Sequence, residues 1–317
     1  VRPARWIALG VALATAPWMV AAVVPHQQRY VLHVLIFTAL FAALALSYDL
    51  VVGHVGSLSL AHPAFFGVGA YTAAILATRG RWPFVADVLA AVLTAAAVAA
   101  LVGVPLFRLR EHAFAVGTLG LALVASIVAN NWVEVTRGPL CITGIPKPTL
   151  GPLAVTTLPA YYWLALTALG AVVLLYHGLT TFRLGRAFHA VRDNEPLAGA
   201  AGIDPLKYRL LAFTIAAGLA GGIGALYVHY LSVMCPEEMT VALTVNLLVI
   251  VFLGGVGSLR GVLVGAVLFT ALPEVLRLAP TWRLVIYGTL LLLVVVRSPE
   301  GIESLLRRVT RAGAARA

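Results

Sequence analysis

The sequence predicts an all-α polytopic membrane protein with about ten transmembrane helices, organised as a single domain over residues 1–317. Three observations carry this reading. First, 61% of the residues are hydrophobic and only 11% charged, where soluble globules carry about 25% charged residues; the mean hydropathy is +0.98. Second, the apolar residues gather into runs close to the roughly 20 residues that cross a bilayer as a helix. Third, basic residues outnumber acidic ones by 22 to 12 and concentrate in a few segments between runs, as cytoplasmic loops do. An apolar soluble enzyme does not fit this composition. The net charge of +10 is no nucleic-acid footprint either, because no soluble domain is present to carry one.

In chain order, Trp6–Val24 is a run of 19 residues without a charge. That is longer than the core of a signal peptide, so an uncleaved first helix is expected. Tyr30–Tyr48, Val88–Phe107, Ala113–Trp132, Tyr161–Thr180 and Leu210–Tyr230 are five further full-length spans. Pro63–Thr78, Val241–Leu253, Val262–Leu272 and Leu284–Val296 are shorter, and three of them touch Gly-rich breaks. Short, interrupted spans mark broken helices beside a pathway, since freed backbone groups cannot face lipid. With ten spans, the basic clusters at Arg2 and Arg5, Arg108 and Arg110, 183–209, and 297–316 all fall on one side, the cytoplasm. The other side receives the Pro-, Gly- and Thr-rich 133–160 loop. Residues 298–317 form a cytoplasmic tail, with Ser298 and Pro299 suited to start an amphipathic helix bearing Ile302, Leu305, Leu306 and Val309 on one face.

The glycine breaks supply the pathway candidates: Gly56, Ser57, His62 and Gly67 in the first half, and Gly254, Gly257 and Ser258 in the second. Asn246 joins them, because an intramembrane amide must find a partner or line a wet path. The segments Gly53-His-Val-Gly56-Ser57-Leu58 and Gly254-Gly-Val-Gly257-Ser258-Leu259 echo each other at five of six positions, a weak sign of internal duplication. His33 is expected to make an interhelical polar contact. Ser57, Ser59 and His62 also raise the alternative of an intramembrane hydrolase, which needs a base in reach of the nucleophile; in so Gly-rich a loop, serine more often bonds helix backbone. An ion-coupled secondary transporter is the other alternative. It requires a titrating site at mid-membrane, and the charge-free runs offer no ladder of Asp, Glu and His. No spacing suits a metal, and Cys141 and Cys235 alone do not decide whether they pair. No phosphate-binding G-x-x-x-x-G-K-[ST] loop occurs, and the only lysines are Lys147 and Lys207. Any ATP-driven step must therefore belong to another chain.

The most informative stretch is the charged island 182–209. Asp193 or Asn194 can cap a short helix with Glu195 and Pro196 in its first turn. Leu197–Ala201 continue it, and Gly202 offers a left-handed stop. Two turns, roughly 12 Å at 1.5 Å per residue, with a smooth Ala/Gly/Leu surface, suit a groove on a partner. Asp204-Pro205 begins the next helix.

The run Gly185-Arg-Ala-Phe-His-Ala-Val-Arg-Asp-Asn-Glu195, followed by Ala200-Ala-Gly-Ile203, Tyr208–Phe213 and Ala220–Tyr227, resembles the signature of the permease subunits of branched-chain amino-acid ABC importers. Gly56–Tyr71, Thr143-Gly-Ile-Pro146, Gly254–Gly261 and Ile286-Tyr-Gly288 are similar to that family's other motifs, so the likeness covers about 48 to 303. The chain looks like the longer of the family's two paralogous permeases. It departs from the usual pattern at Ala61, Pro63, Leu140 and Cys141. The resemblance implies a type II importer fold in a bacterial inner membrane, with both termini cytoplasmic. It implies a homologous second permease subunit, two cytoplasmic ATPase subunits that use ATP and magnesium, and a periplasmic solute-binding protein. It makes 183–207 the coupling segment, with Arg186, Arg192, Asp193, Asn194, Glu195, Leu197, Ala200 and Gly202 against the ATPase. The solute it implies is leucine, isoleucine, valine or a related small polar molecule.

Overall fold

The computed structural model describes Thr15, Pro17, Trp18 and residues 27–151, 153–275 and 301–303. The expected spans Trp6–Val24 and Leu284–Val296, and most of the tail helix, lie outside the described residues. The long helices follow the apolar runs, and shorter ones join them. They are α1 Gln28–Asp49, α2 His62–Ile75, α3 Phe84–Leu106, α4 Glu111–Asn131, the single turn α5 Val133–Thr136, α6 Leu158–Thr181, α7 Arg183–Asp193, α8 Glu195–Ala200, α9 Pro205–Leu231, α10 Val241–Gly254 and α11 Leu259–Val275. A π-helical stretch, Leu50–Val55, prolongs α1, and another, Leu76–Gly80, ends α2. Among the described residues, five helical segments are long and apolar enough to cross a membrane: Gln28–Val55, Phe84–Leu106, His112–Asn131, Leu158–Thr181 and Pro205–Leu231.

The core sits where α9 packs on α2 and α3, while α1 packs on α6 and α11. Hydrophobic force does not join helices in lipid, so close approach must, and small residues permit it. On α3, Ala91, Ala95 and Ala99 stand four residues apart and are all fully buried. They face Gly221 of α9, where an added Cβ would lie 2.5 Å from the Ala95 Cβ and 2.7 Å from the Ala91 carbonyl oxygen. The opposite faces of α3 and α4 carry exposed Leu89, Leu93, Val116, Leu123 and Ile127, the apolar surface a lipid-facing helix presents.

At one end of the bundle, β1 Ile142–Thr143 pairs antiparallel with β4 Val233–Met234, and β2 Thr149–Leu150 pairs with β3 Leu153–Ala154. Cys141 and Cys235 flank the first pair and are joined in a disulfide, with Cα atoms 4.5 Å apart. The α7–α8 segment lies at the other end, beyond the end of α6 and before the start of α9. His33 makes the interhelical contact expected of it, with Nδ1 2.6 Å from the Tyr230 hydroxyl.

The chain between α1 and α2 turns back inside the bundle. Leu60 N–H donates to Thr118 Oγ1 at 2.9 Å, and its carbonyl accepts from Thr244 Oγ1 at 3.2 Å. Thr118 is seven residues into α4, roughly 10 Å from that helix's start at 1.5 Å per residue. Side chains of two other helices thus satisfy the non-helical backbone, which irregular backbone at this depth requires.

Candidate coupling site and its link to the helix bundle

Local chemistry shapes the coupling segment. Asn194 is the cap of α8: its side-chain oxygen accepts from Leu197 N–H at 3.0 Å. Pro196 occupies the first turn beside Glu195. Gly202 takes φ +84°, and Ile203 N–H returns to the Ala198 carbonyl at 2.9 Å, the closure a left-handed stop makes. Ala198 alone in α8 is buried; Leu197 is 66% exposed, and Gly199 and Ala200 are exposed too. A smooth surface with one projecting leucine is therefore presented outward. Glu195 is exposed, and its carboxylate pairs with Arg209 at 2.8 Å. Asp204 caps α9 by accepting from Lys207 N–H at 3.3 Å; bonding from Lys207, first by its side chain, holds the Asp204 carboxyl below its usual range.

The preceding residues are helical as well, which charge alone did not reveal. In α7, Gly185, Ala187, Phe188 and Val191 are buried, while Arg183, Arg186 and Asp193 are exposed. Phe188 meets Tyr208 of α9 edge-on, with ring centroids 6.3 Å apart. Arg192 is exposed as well, yet its guanidinium reaches back to the bundle. Its guanidinium Nη1 donates to the carbonyl of Gly53, within the π-helical end of α1.

Around Arg192 the structure assembles a polar cluster from four elements. Tyr176 of α6 donates its hydroxyl to Asp49 Oδ2, and Gly257 N–H donates to Asp49 Oδ1 at 2.8 Å. The Tyr176 oxygen must then accept from His54 Nε2, 2.7 Å away. That leaves His54 Nδ1 as the acceptor for His189 Nε2 of α7 at 3.1 Å. The hydrogen bonds all run one way, from exposed His189 to buried Asp49. The cluster ties α7 to α1, to α6 and to the α10–α11 turn.

Two of the pathway candidates meet here. An added Cβ on Gly56 would lie 2.9 Å from Arg192 Cγ, and one on Gly257 3.4 Å from Arg192 Nη1. Gly254, at the end of α10, packs its backbone on Gly261 of α11. The echoed segments also match in shape, with Gly56 at φ +75° and Gly257 at φ +74°. Ser258 caps α11, its Oγ accepting from Gly261 N–H at 3.0 Å. Ser57 is itself buried in the 56–61 turn-back, with its N–H on the Val51 carbonyl at 3.2 Å. Gly67 is apart from these, backed by Met239. Asn246 is half-buried on α10, away from the cluster.

His62 does not serve Ser57 or Ser59. Its Nε2 is 2.9 Å from Ser47 Oγ, and that hydroxyl already donates to the Leu44 carbonyl at 2.7 Å. The imidazole must donate here, so His62 does not activate Ser47, and a hydrolase gets no support. The spans hold more ionisable groups than the charge-free runs suggested: Asp49 and His54 are buried within Gln28–Val55, and Asp87 within Phe84–Leu106. The charge-free runs ended at Tyr48 and began at Val88, so each carboxylate was read as loop while its helix ran on through it. No cluster of three metal-ligating side chains occurs among the described residues.

A multi-pass bundle of apolar helices, with a small capped helix exposed at one end and wired to its broken helices, defines a membrane permease subunit. The chain belongs to the family of branched-chain amino acid transport system permease components, whose sequence profile matches residues 30–295. It is similar to the high-affinity branched-chain amino acid transport permease LivM of Escherichia coli (strain K12), at 31% identity over 324 residues, 95% of this chain and 75% of that protein. It is similar to LivH of Salmonella typhimurium, at 26% over 83% of this chain and 90% of that one. The autoinducer 2 import permease LsrC of Yersinia enterocolitica is 32% identical over 57% of this chain and 50% of its own length. No solved structure matches the chain. The chain is thus a permease subunit of an ABC importer and not an enzyme. The LivM and LivH likenesses imply a second, homologous permease subunit.

Proposed function

We propose that this chain forms half of the translocation pathway of an ATP-driven importer of branched-chain amino acids. It does so by alternating access in a bacterial inner membrane, with ten spans in a type II importer arrangement and both termini cytoplasmic. Two cytoplasmic ATPase subunits hydrolyse ATP with magnesium, and α8 carries their motion into the bundle. A periplasmic binding protein delivers solute to the disulfide-bonded end, a side that suits a disulfide because it is oxidising. The observation that carries this reading is the link from α8 through Arg192 to Gly53 and Gly257. It gives an exposed helix a mechanical grip on the broken helices beside the candidate pathway, Gly56, Gly254 and Gly257. The names of the relatives support the solute class.

One observation favours a second reading. The one-way hydrogen-bond chain from His189 to Asp49 has the form of a proton relay, which an ion-coupled transporter would use. Uptake of radiolabelled leucine into proteoliposomes holding the whole complex and the binding protein separates the two. Uptake that needs ATP inside and ignores a proton gradient supports the importer. Gradient-driven uptake without ATP would replace it.

A further inference from the structure

At the disulfide-bonded end, a cavity of about 590 Å³ is lined by the start of α3, the end of α9 and residues 143–149. Its volume falls in the range of small-molecule sites. Asp87, in the first turn of α3, and His229, near the end of α9, form part of its wall, with side chains only 1% and 2% exposed. Neither carboxyl oxygen of Asp87 has a hydrogen-bond partner, and neither does His229 Nε2. His229 Nδ1 lies 2.8 Å from the Pro146 carbonyl. A carbonyl only accepts, so Nδ1 carries a hydrogen; with the ring neutral, the form that burial away from water favours, Nε2 is an acceptor. Nε2 is 3.7 Å from Asp87 Oδ2, beyond hydrogen-bond reach. One buried wall therefore presents three acceptors and no donor, an arrangement that buried polar groups do not ordinarily keep.

A primary ammonium group has three N–H donors and answers all three acceptors at once. The same cavity holds the opposite charge. Lys147 Nζ uses one donor on the Tyr230 carbonyl, at 2.8 Å, and keeps two; Arg81 stands at the exposed rim. Trp82 and Phe84 add apolar surface. Ammonium-accepting, carboxylate-donating and apolar groups in one cavity match a free amino-acid zwitterion with a compact apolar side chain.

We propose that this cavity is an amino-acid site, with Asp87 and His229 receiving the α-ammonium and Lys147 and Arg81 the α-carboxylate. The inference rests on the amino-acid permease reading and adds where this chain first holds its solute. The test uses the assembled permease–ATPase complex without binding protein, and saturation-transfer NMR with three probes: leucine, 3-methylbutan-1-amine and 4-methylpentanoate. Leucine and the amine should bind the wild-type complex better than the acid does. Asp87→Asn, a near-isosteric change, should weaken leucine and the amine by at least about tenfold, the scale of a lost charge-assisted bond. Lys147→Met should weaken leucine and spare the amine. Co-purification of the subunits checks that each variant assembles; if Asp87→Asn does not, the Lys147→Met result and the wild-type probe order decide. Wild-type leucine affinity in Asp87→Asn, or an amine that does not bind, would overturn the site. So would an Asp87→Asn complex that binds leucine normally but loses affinity for the loaded binding protein, since the carboxylate would then serve docking. ATP-dependent leucine uptake by the wild-type complex stands apart: its presence alongside unchanged binding in Asp87→Asn removes the cavity proposal alone.

Discussion

Changing Tyr176 to Phe should loosen the joint between the coupling segment and the bundle by a predictable amount. The hydroxyl donates to Asp49 Oδ2 and accepts from His54 Nε2, so two interhelical bonds are lost and no volume is added. Interhelical hydrogen bonds inside membranes average about 0.6 kcal/mol and reach about 1.7. Two of them, one with a carboxyl acceptor, place the loss at about 1–3 kcal/mol. Asp49→Asn should act differently. The amide oxygen can still accept from Gly257 N–H, while its NH2 faces Tyr176 and obliges that hydroxyl to reverse. The reversal is tolerated only if His54 moves its hydrogen to Nδ1, toward His189. In the Asp49→Asn background, Tyr176→Phe therefore removes a weaker arrangement, and the two changes should be non-additive by about 1 kcal/mol, where independent sites add within about 0.3–0.5 kcal/mol. Reversible SDS unfolding of the permease pair measures the cycle, and leucine imported per ATP hydrolysed reads the coupling. Additive energies with wild-type coupling in both single variants would refute the wiring.

Gly202 has nothing within 4 Å of an added Cβ, so only its φ of +84° resists substitution, by roughly 1–2 kcal/mol for a non-glycine residue. ATPase subunits co-purifying with the complex should therefore fall in the order Gly, Asn, Ala, Val at 202, and Ala200→Glu should release them through its exposed charge; equal retention across the series would remove α8 as the contact. Gly53→Ala should impair transport more than Gly10→Ala, because its Cβ would lie 2.6 Å from Gly257 N and push that N–H off Asp49; equal activity of the two would count against the close approach. With Cys141 and Cys235 replaced by Ser, thiol labels at Thr149→Cys and Leu197→Cys should report opposite sides of the membrane, Thr149 outside; labelling of both from one side would break the topology. Reducing the native pair, which closes a loop of sequence separation 94, should lower the unfolding midpoint by an amount equivalent to about 2–5 kcal/mol, with no shift expected if the two thiols are free.

The helix bundle was readable because lipid imposes one demand, a charge-free run of adequate length, and that demand is local. The caps of α8 were readable for the same reason: Asn194 and Gly202 bond backbone only a few residues away. What escaped was set by distant partners. Asp49 and Asp87 ended the apolar runs and looked like loop residues, though each is fully buried by helices far away in sequence. Arg192 read as one more cytoplasmic charge, because nothing near it shows that Gly53, 139 residues earlier, offers it a carbonyl. The α7 helix was legible after all in Gly185, Phe188 and Val191, spaced three apart on one buried face; the density of charge masked that period. The paired small residues Ala91, Ala95 and Gly221 were visible as composition, but which helix they meet was not.

Leu60 carries a consequence for how the protein is made. Its N–H waits for Thr118 and its carbonyl for Thr244, 58 and 184 residues downstream. During synthesis the 56–61 segment leaves the ribosome long before either partner exists, and bare peptide groups are poorly tolerated in hydrocarbon. The nascent chain must hold this turn at the translocon or in the wet interface until α4 and then α10 arrive. Insertion of α2 to its final depth is thus a late event, gated by the completion of helices on the far side of the sequence. Truncation before residue 244 should leave α2 shallow and open to proteases, whatever its own hydrophobicity.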